Sequence, residues 1–228
     1  MREILRKIPL FSELDEAELD AVAALVSSRD VPKKNVVLHE GEMGEALFII
    51  LKGSVKISYY AADGREVVLS LLEEGSFFGE MSLLDKQPRS ATVSTMEDSR
   101  LAQIRRSDFE RLMLAQPALT LKLLSEVVTR LRRTSQVLER ISTMDVPHRL
   151  YDYLRDHCGR FGEEGEDGFF TLKLPTHQLL ADQLSTSRET ISRAISTLKK
   201  DKIILPVANG SEVRIDKDAL ETLLEAFG

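Results

Sequence analysis

The chain has 228 residues, 43% of them hydrophobic, and carries a formal net charge of −6. Its length suits one large domain or two smaller ones, and its composition excludes a disordered chain. It holds no apolar run long enough to span a membrane and no signal-peptide core at its N-terminus, and its one cysteine, Cys158, excludes an internal disulfide and fits a reducing cytoplasm.

Residues 12 to 29 read as a short helix capped by Ser12, with Asp15 and Glu16 in the first turn. Leu14, Leu19, Val22, Ala23 and Val26 form its apolar side. From Val31 to Ile104 the period changes. Val36–Leu38, Ala46–Leu51, Val55–Tyr59, Val67–Leu71, Ala91–Thr95 and Leu101–Ile104 are short β-like runs. Gly41, Gly44, Gly53, Gly64 and Gly75 fall at the breaks, and Asp63-Gly64 is a hairpin signal. Short strands at this spacing predict a β-roll or jelly-roll sandwich.

Within that region lies Phe78-Gly79-Glu80-Met81-Ser82-Leu83-Leu84-Asp85-Lys86-Gln87-Pro88-Arg89-Ser90-Ala91-Thr92-Val93. Arg89 is a planar cation suited to a pair of phosphate oxygens, and Ser90 adds a hydroxyl donor. Gly79 allows close backbone approach, and Met81–Leu84 reads as one helical turn. Glu80 would repel a phosphate. It fits a ligand whose sugar hydroxyl donates to it while Arg89 neutralises the phosphate. The ordinary alternative is a surface Glu–Arg pair, which is common and weak. Gly79-Glu80 and Pro88-Arg89-Ser90-Ala91-Thr92 at this separation resemble the phosphate-binding cassette of cyclic-nucleotide-binding domains.

Ser107-Asp108-Phe109-Glu110 predicts a helix start with a capping box from Ser107 to Glu110. Pro117 starts a long helix to about Met144. Leu124, Val127, Leu131, Leu138 and Ile141 alternate in steps of three and four, a heptad seam with a polar gap at Thr134. The seam predicts a parallel homodimer through helix 117–144. The gap is either a register-setting polar position or a pair of hydroxyls, Thr134 and Ser135, facing a ligand. Asp145-Val146-Pro147 ends the helix and marks a hinge. Arg149–Cys158 reads as a further helix, Gly159–Gly168 as an acidic loop and Phe169–Leu174 as a strand.

Pro175-Thr176 opens a helix to Leu184, capped by Thr176, and Ser185-Thr186 turns the chain. The next helix runs from Ser187 to Lys200. Ile191, Ala194, Ile195 and Leu198 share one arc, and Arg188, Glu189, Ser192, Arg193, Ser196 and Lys199 share the other. This is a helix-turn-helix whose second helix suits the major groove. Arginine matches the two acceptors of guanine, and glutamate accepts from the cytosine amino group. Ile203–Leu205 and Val213–Ile215 flank Asn209-Gly210 and complete a hairpin wing. The acidic net charge argues against nucleic-acid binding by the chain as a whole. Arg188, Arg193, Lys199, Lys200 and Lys202 outweigh Glu189 and Asp201 on this surface and answer that objection locally.

The cassette, the long helix with Thr134-Ser135, Asp145-Val146 at its end and Ser187-Arg188-Glu189-Thr190 stand in an order that resembles the Crp/Fnr family of transcription regulators, over nearly the whole chain. The resemblance implies an α+β chain of three parts. These are a cyclic-nucleotide-binding-like β-roll at 1–116, a dimerisation helix at 117–144 and a winged helix-turn-helix at 145–228. It implies a cytoplasmic homodimer on a palindromic TGTGA-like operator, with half-sites roughly 34 Å apart, and RNA polymerase as a partner. It places a cyclic nucleotide, cyclic AMP in first place, on Gly79, Glu80, Met81, Ser82, Arg89, Ser90, Thr134 and Ser135. It places double-stranded DNA on Thr176, His177, Ser187, Arg188, Glu189, Ser192, Arg193 and Lys199. In three places the chain departs from relatives. His177 stands where an arginine is frequent, Ser185 stands where glycine is common, and the cassette is one residue shorter between Glu80 and Arg89 than in the best-known bacterial activator.

The alternative effector is a gas held on haem, with His39, His148, His157 or His177 as candidate ligands. An iron–sulfur cluster needs several cysteines, which this chain lacks. A binding module without DNA contact is the remaining class. No catalytic motif appears, so no enzymatic activity is expected.

Overall fold

The computed structural model describes residues 2–62, 64, 66–207 and 212–226. The chain divides into two compact units, Met1–Arg132 and Arg133–Gly228. The division falls inside the long helix, where the sequence placed its boundary at the following hinge.

The first unit opens with α1 (Arg2–Arg6), a 3-10 turn (Pro9–Phe11) and α2 (Glu16–Leu25). Ser12 does not cap α2. Its hydroxyl donates to Pro9 O at 3.0 Å and closes the 3-10 turn. Asp15 caps instead, in a reciprocal box with Glu18, because its carboxylate sits next to the first turn and faces the positive end of the helix dipole. α2 also ends before the predicted limit, since Val26 is extended and leads into a strand.

The strands are β1 (Ser27–Val31), β2 (Val36–Leu38), β3 (Ala46–Lys52), β4 (Ser54–Tyr60), β5 (Glu66–Glu73), β6 (Phe77–Phe78), β7 (Thr92–Thr95) and β8 (Ser99–Arg105), with α3 (Met81–Leu84) between β6 and β7. They form two antiparallel sheets, ordered β1-β8-β3-β6 and β2-β7-β4-β5. The six β-like runs of the sequence are all strands. β1 was not expected, because Ser27-Ser28-Arg29-Asp30 is an exposed polar edge without alternation. β6 was not expected because it has two residues.

β3 explains how the roll is built. All of Ala46–Leu51 is buried. Leu47, Ile49 and Leu51 join a cluster with Leu5, Phe11, Leu19 and Val22 from the N-terminal helices. Ala46, Phe48 and Ile50 join a second cluster with Leu38, Val55, Phe78, Val93 and Leu101. A strand buried on both faces reads as a continuous apolar run, as here, because alternate residues serve different layers.

α4 (Arg106–Ala115) and α5 (Pro117–Thr143) follow. The expected capping box at Ser107 and Glu110 is absent. α4 begins two residues earlier, directly off β8, and its N-cap residue Arg105 makes no side-chain cap bond. The Arg106 N–H is satisfied by Glu45 O at 2.9 Å instead. In α5, Leu119 and Leu123 pack into the first core cluster, while Leu121, Leu124, Val128, Leu131, Val137, Leu138 and Ile141 are exposed in the single chain.

The second unit holds the last turns of α5, α6 (Val146–Phe161), β9 (Glu163–Glu164), β10 (Phe169–Leu172), α7 (His177–Gln183), α8 (Arg188–Lys200), β11 (Ile204–Pro206), β12 (Val213–Asp216) and α9 (Lys217–Glu225). Asp145 ends the hinge by capping α6, its carboxylate accepting the His148 N–H at 2.9 Å. Half of the expected loop 159–168 is helix or strand. α6 continues to Phe161, and Glu163–Glu164 pairs with Phe170 and Thr171. The sheet order is β11-β12-β10-β9. Ile204 pairs with Ile215, as a wing requires. Asn209-Gly210 lies outside the described residues, as does Asp63 of the other hairpin signal. α6, α7, α8, the wing and α9 close on one core that includes Leu150, Leu154, Cys158, Leu180, Ile191 and Ile215. Burial pushes the Cys158 thiol up to about 11, which leaves it an inert core residue. No single helix among the described residues is long and apolar enough to cross a membrane.

Candidate effector and nucleic-acid sites

β6, α3 and the loop to β7 bring Gly79, Glu80, Ser82 and Arg89 together in the first unit. Gly79 has φ 82, and a Cβ there would lie 2.7 Å from Arg89 Nη1. Both facts require glycine. Arg89 is only 6% exposed. Its Nη1 donates to Gly79 O at 2.5 Å and Ser82 Oγ at 2.7 Å, and its Nη2 donates to Ala46 O at 2.7 Å. Burial lowers its pKa and the neighbouring Arg106 charge lowers it further, yet a guanidinium stays protonated. Among the described residues no carboxylate lies within ion-pairing distance of it. It is therefore a buried cation bonded to neutral acceptors.

Glu80 is 4% exposed, so the solvent-exposed Glu80–Arg89 pair of the ordinary alternative does not form. Its partner is Arg130 of α5, whose Nη1 donates to Oε1 at 3.0 Å. Arg130 Nη2 donates to Phe77 O at 2.7 Å, and the guanidinium lies 4.4 Å over the Phe77 ring. Sequence reasoning missed Arg130. The one available signal was its position, a helical turn before Thr134. Met81 is exposed at the start of α3, and the exposed Ser90 hydroxyl lies 3.6 Å from Met81 Sδ. Ser82 is buried. Thr134 and Ser135 are exposed in the single chain, on α5 but within the second unit.

The second unit carries the expected tandem helices. Thr176 caps α7 by accepting the Leu179 N–H at 3.2 Å, and His177 is the first residue inside. Ser185 turns the chain at φ 52, a left-handed conformation that glycine would adopt more easily. Ser187 caps α8 by accepting the Thr190 N–H at 3.1 Å, and the two hydroxyls lie 2.8 Å apart. Arg193 Nη2 reaches Thr190 Oγ1 at 3.5 Å. Ile191, Ile195 and Leu198 are buried, whereas Arg188, Glu189, Arg193, Ser196 and Lys199 are exposed and Ser192 half-buried. On α8 every expected reading side chain except Ser192 thus stands clear of the core, on one face, whereas His177 on α7 is half-buried.

The candidate haem ligands are divided between the two units. His39 belongs to the first unit and His148, His157 and His177 to the second. His157 stacks on Tyr153 and leans on Phe161, and its Nε2 is 3.3 Å from Lys173 O. Among the described residues no cluster of three or more His, Cys, Asp or Glu side chains suits a metal ion.

Comparison with known proteins bears on both sites. The cyclic nucleotide-binding domain family matches residues 28–116, and the Crp-like helix-turn-helix domain family matches residues 148–223. A CRP-like cAMP-activated global transcriptional regulator of Mycobacterium tuberculosis is 31% identical, over 86% of this chain and 88% of its own. The cyclic AMP receptor protein of Thermus thermophilus is 30% identical, over 90% and 92%. Among solved structures, the c-di-GMP responsive global regulator CLP of Xanthomonas campestris aligns with TM-score 0.76 at 25% identity, covering 88% of this chain and 99% of that one.

Proposed function

Because the chain belongs to the Crp/Fnr family of DNA-binding transcription regulators, with a cyclic nucleotide-binding domain, we propose that it is a homodimeric, cytoplasmic regulator switched by a cyclic mononucleotide, cyclic AMP before others. The observation that carries this reading is the buried Arg89 without a carboxylate partner. A buried charge is ordinarily paired, and an anion of the phosphate class supplies what the chain does not. Glu80 beside it serves a sugar hydroxyl. Cyclic AMP is favoured because the names of two relatives include it. The Xanthomonas campestris regulator is c-di-GMP responsive, so that ligand belongs in the test.

Glu80 also supports a route for the signal. Its bond to Arg130 joins the cassette to α5 within the first unit. A sugar hydroxyl that takes up Glu80 changes what Arg130 holds, and α5 continues through Thr134 and Ser135. Coupling of this kind amounts to about 1–3 kcal/mol in other systems. The exposed face of α8 then reads a TGTGA-like half-site through Arg188, Glu189 and Arg193, with RNA polymerase as the partner on the promoter.

Calorimetric titration with cyclic AMP, cyclic GMP and c-di-GMP tests the reading, followed by operator binding with and without the tightest ligand. Tight binding of a cyclic mononucleotide and tighter operator binding in its presence are expected. Arg89→Leu loses two charge-assisted bonds to the phosphate, so its nucleotide affinity is expected to fall about 100-fold while the protein stays dimeric. Unchanged affinity in that variant removes the assignment of the cassette.

A further inference from the structure

A second arginine stands directly behind Arg89. Arg106 begins α4, and its side chain turns back into the cassette. Nη2 donates to Gly44 O at 2.6 Å and Ser82 O at 2.9 Å, and Nη1 reaches Leu83 O at 3.4 Å. Arg89 meanwhile joins Ala46 O to Gly79 O. The same two chain segments, Gly44–Ala46 and Gly79–Leu83, are therefore tied twice, each time by a guanidinium. Ser82 is shared, since its hydroxyl bonds Arg89 and its carbonyl bonds Arg106. The packing is close. A Cβ on Gly44 would lie 2.1 Å from Ser82 Oγ and 2.7 Å from Arg89 Cζ.

Two cations side by side repel one another. The nearest carboxylate to Arg106 is Glu110 at 3.9 Å, half-exposed and at the edge of ion-pairing distance. The Arg106 charge pushes the Arg89 pKa down, while the Glu80, Glu45 and Glu42 charges push it up. An amide or hydroxyl would tie the carbonyls of Gly44 and Ser82 without that repulsion. A second guanidinium makes sense where an anion comes to meet it. A phosphate that takes donors from Arg89 weakens the bonds Arg89 makes to Ala46 O and Gly79 O, and Arg106 then keeps the two segments joined.

We propose that Arg106 is a positioning residue for phosphate recognition, which braces the two segments of the cradle and supplies the second positive charge of the anion site. The proposal rests on the cyclic-nucleotide reading of the cassette.

The test is calorimetric titration of cyclic AMP into full-length wild type, Arg106→Gln, Arg106→Lys and Arg89→Leu over a range of salt concentrations, with thermal midpoints measured in parallel. Arg106→Gln is expected to raise the Kd about ten-fold and to flatten its salt dependence. Arg106→Lys is expected to restore the salt dependence but only part of the affinity, since an ammonium lacks the planar fork. Wild-type Kd in both Arg106 variants, with binding lost in Arg89→Leu, overturns the proposal and leaves the function standing. A raised Kd with unchanged salt dependence also overturns it, because a purely structural brace behaves that way. Should Arg106→Gln not fold, wild-type affinity in Arg106→Lys is the overturning result. Wild type that binds no cyclic AMP overturns the proposal and the reading beneath it together.

Discussion

Gly79 and Gly41 share nearly the same backbone conformation, with φ 82 and φ 81, yet they differ in surroundings. A Cβ on Gly79 meets Arg89, whereas a Cβ on Gly41 meets nothing within 4 Å. Alanine at either position takes on the left-handed penalty of about 1–2 kcal/mol. Gly79→Ala must in addition displace the buried guanidinium. Both variants are therefore expected to unfold at lower urea concentration, but Gly79→Ala alone is expected to lose nucleotide affinity, by ten-fold or more. Equal nucleotide affinity in the two would show that the contact with Arg89 does not matter for the ligand.

Where α5 meets α6 within the second unit, an ionic cluster fixes the joint. Arg140 Nε lies 3.0 Å from Asp152 and its Nη2 lies 3.1 Å from Asp156. Arg155 pairs with both aspartates, and Asp152 is 5% exposed. Burial acts to raise the Asp156 carboxyl, but hydrogen bonds from Arg155 and Arg140 and their charges outweigh it and leave the group below its ordinary value. Arg140→Ala is expected to destabilise the protein by about 1–3 kcal/mol, since Asp152 loses one of two charged partners inside the core. The sign with pH follows from the lowered carboxyl. Its stabilisation is complete above the unfolded-state value of about 3.9 and disappears as pH falls through the lower folded value. In urea melts the gap between wild type and Arg140→Ala should therefore narrow below about pH 4. A gap that stays constant to acid pH would place the effect in packing.

At the scale of the whole molecule, the exposed stripe on α5 is the main apolar debt of the single chain. Leu124 is 56% exposed, Leu131 64% and Leu138 64%. The spacing is that of a two-stranded seam, in which such residues bury one another. Leu124→Glu with Leu138→Glu is expected to leave a folded monomer in light scattering that no longer holds a palindromic operator. Wild type that is monomeric at micromolar concentration would remove the dimer from the proposal. Val127, counted in the seam from the sequence, is half-buried, and Val128 is exposed instead. A step of three or four is ambiguous by one residue until the neighbouring core has chosen a side.

Periodicity and local chemistry alone determined the helix-turn-helix, down to its caps at Thr176 and Ser187, because a helix face and its first turn depend on residues close in sequence. The same holds for the six strands that showed as β-like runs and for the closeness of Gly79, Glu80 and Arg89, which lie within one short stretch of chain. Only the tertiary structure decided what Arg130, Arg106 and Gly44 do, since each meets the cassette across a long stretch of chain. It also decided β1, whose polar edge becomes a strand through pairing with β8, and the cap of α2, where Asp15 and Ser12 both had suitable side chains and position chose between them. Contacts distant in sequence leave no local period to read, so their partners become visible only when the fold brings them together.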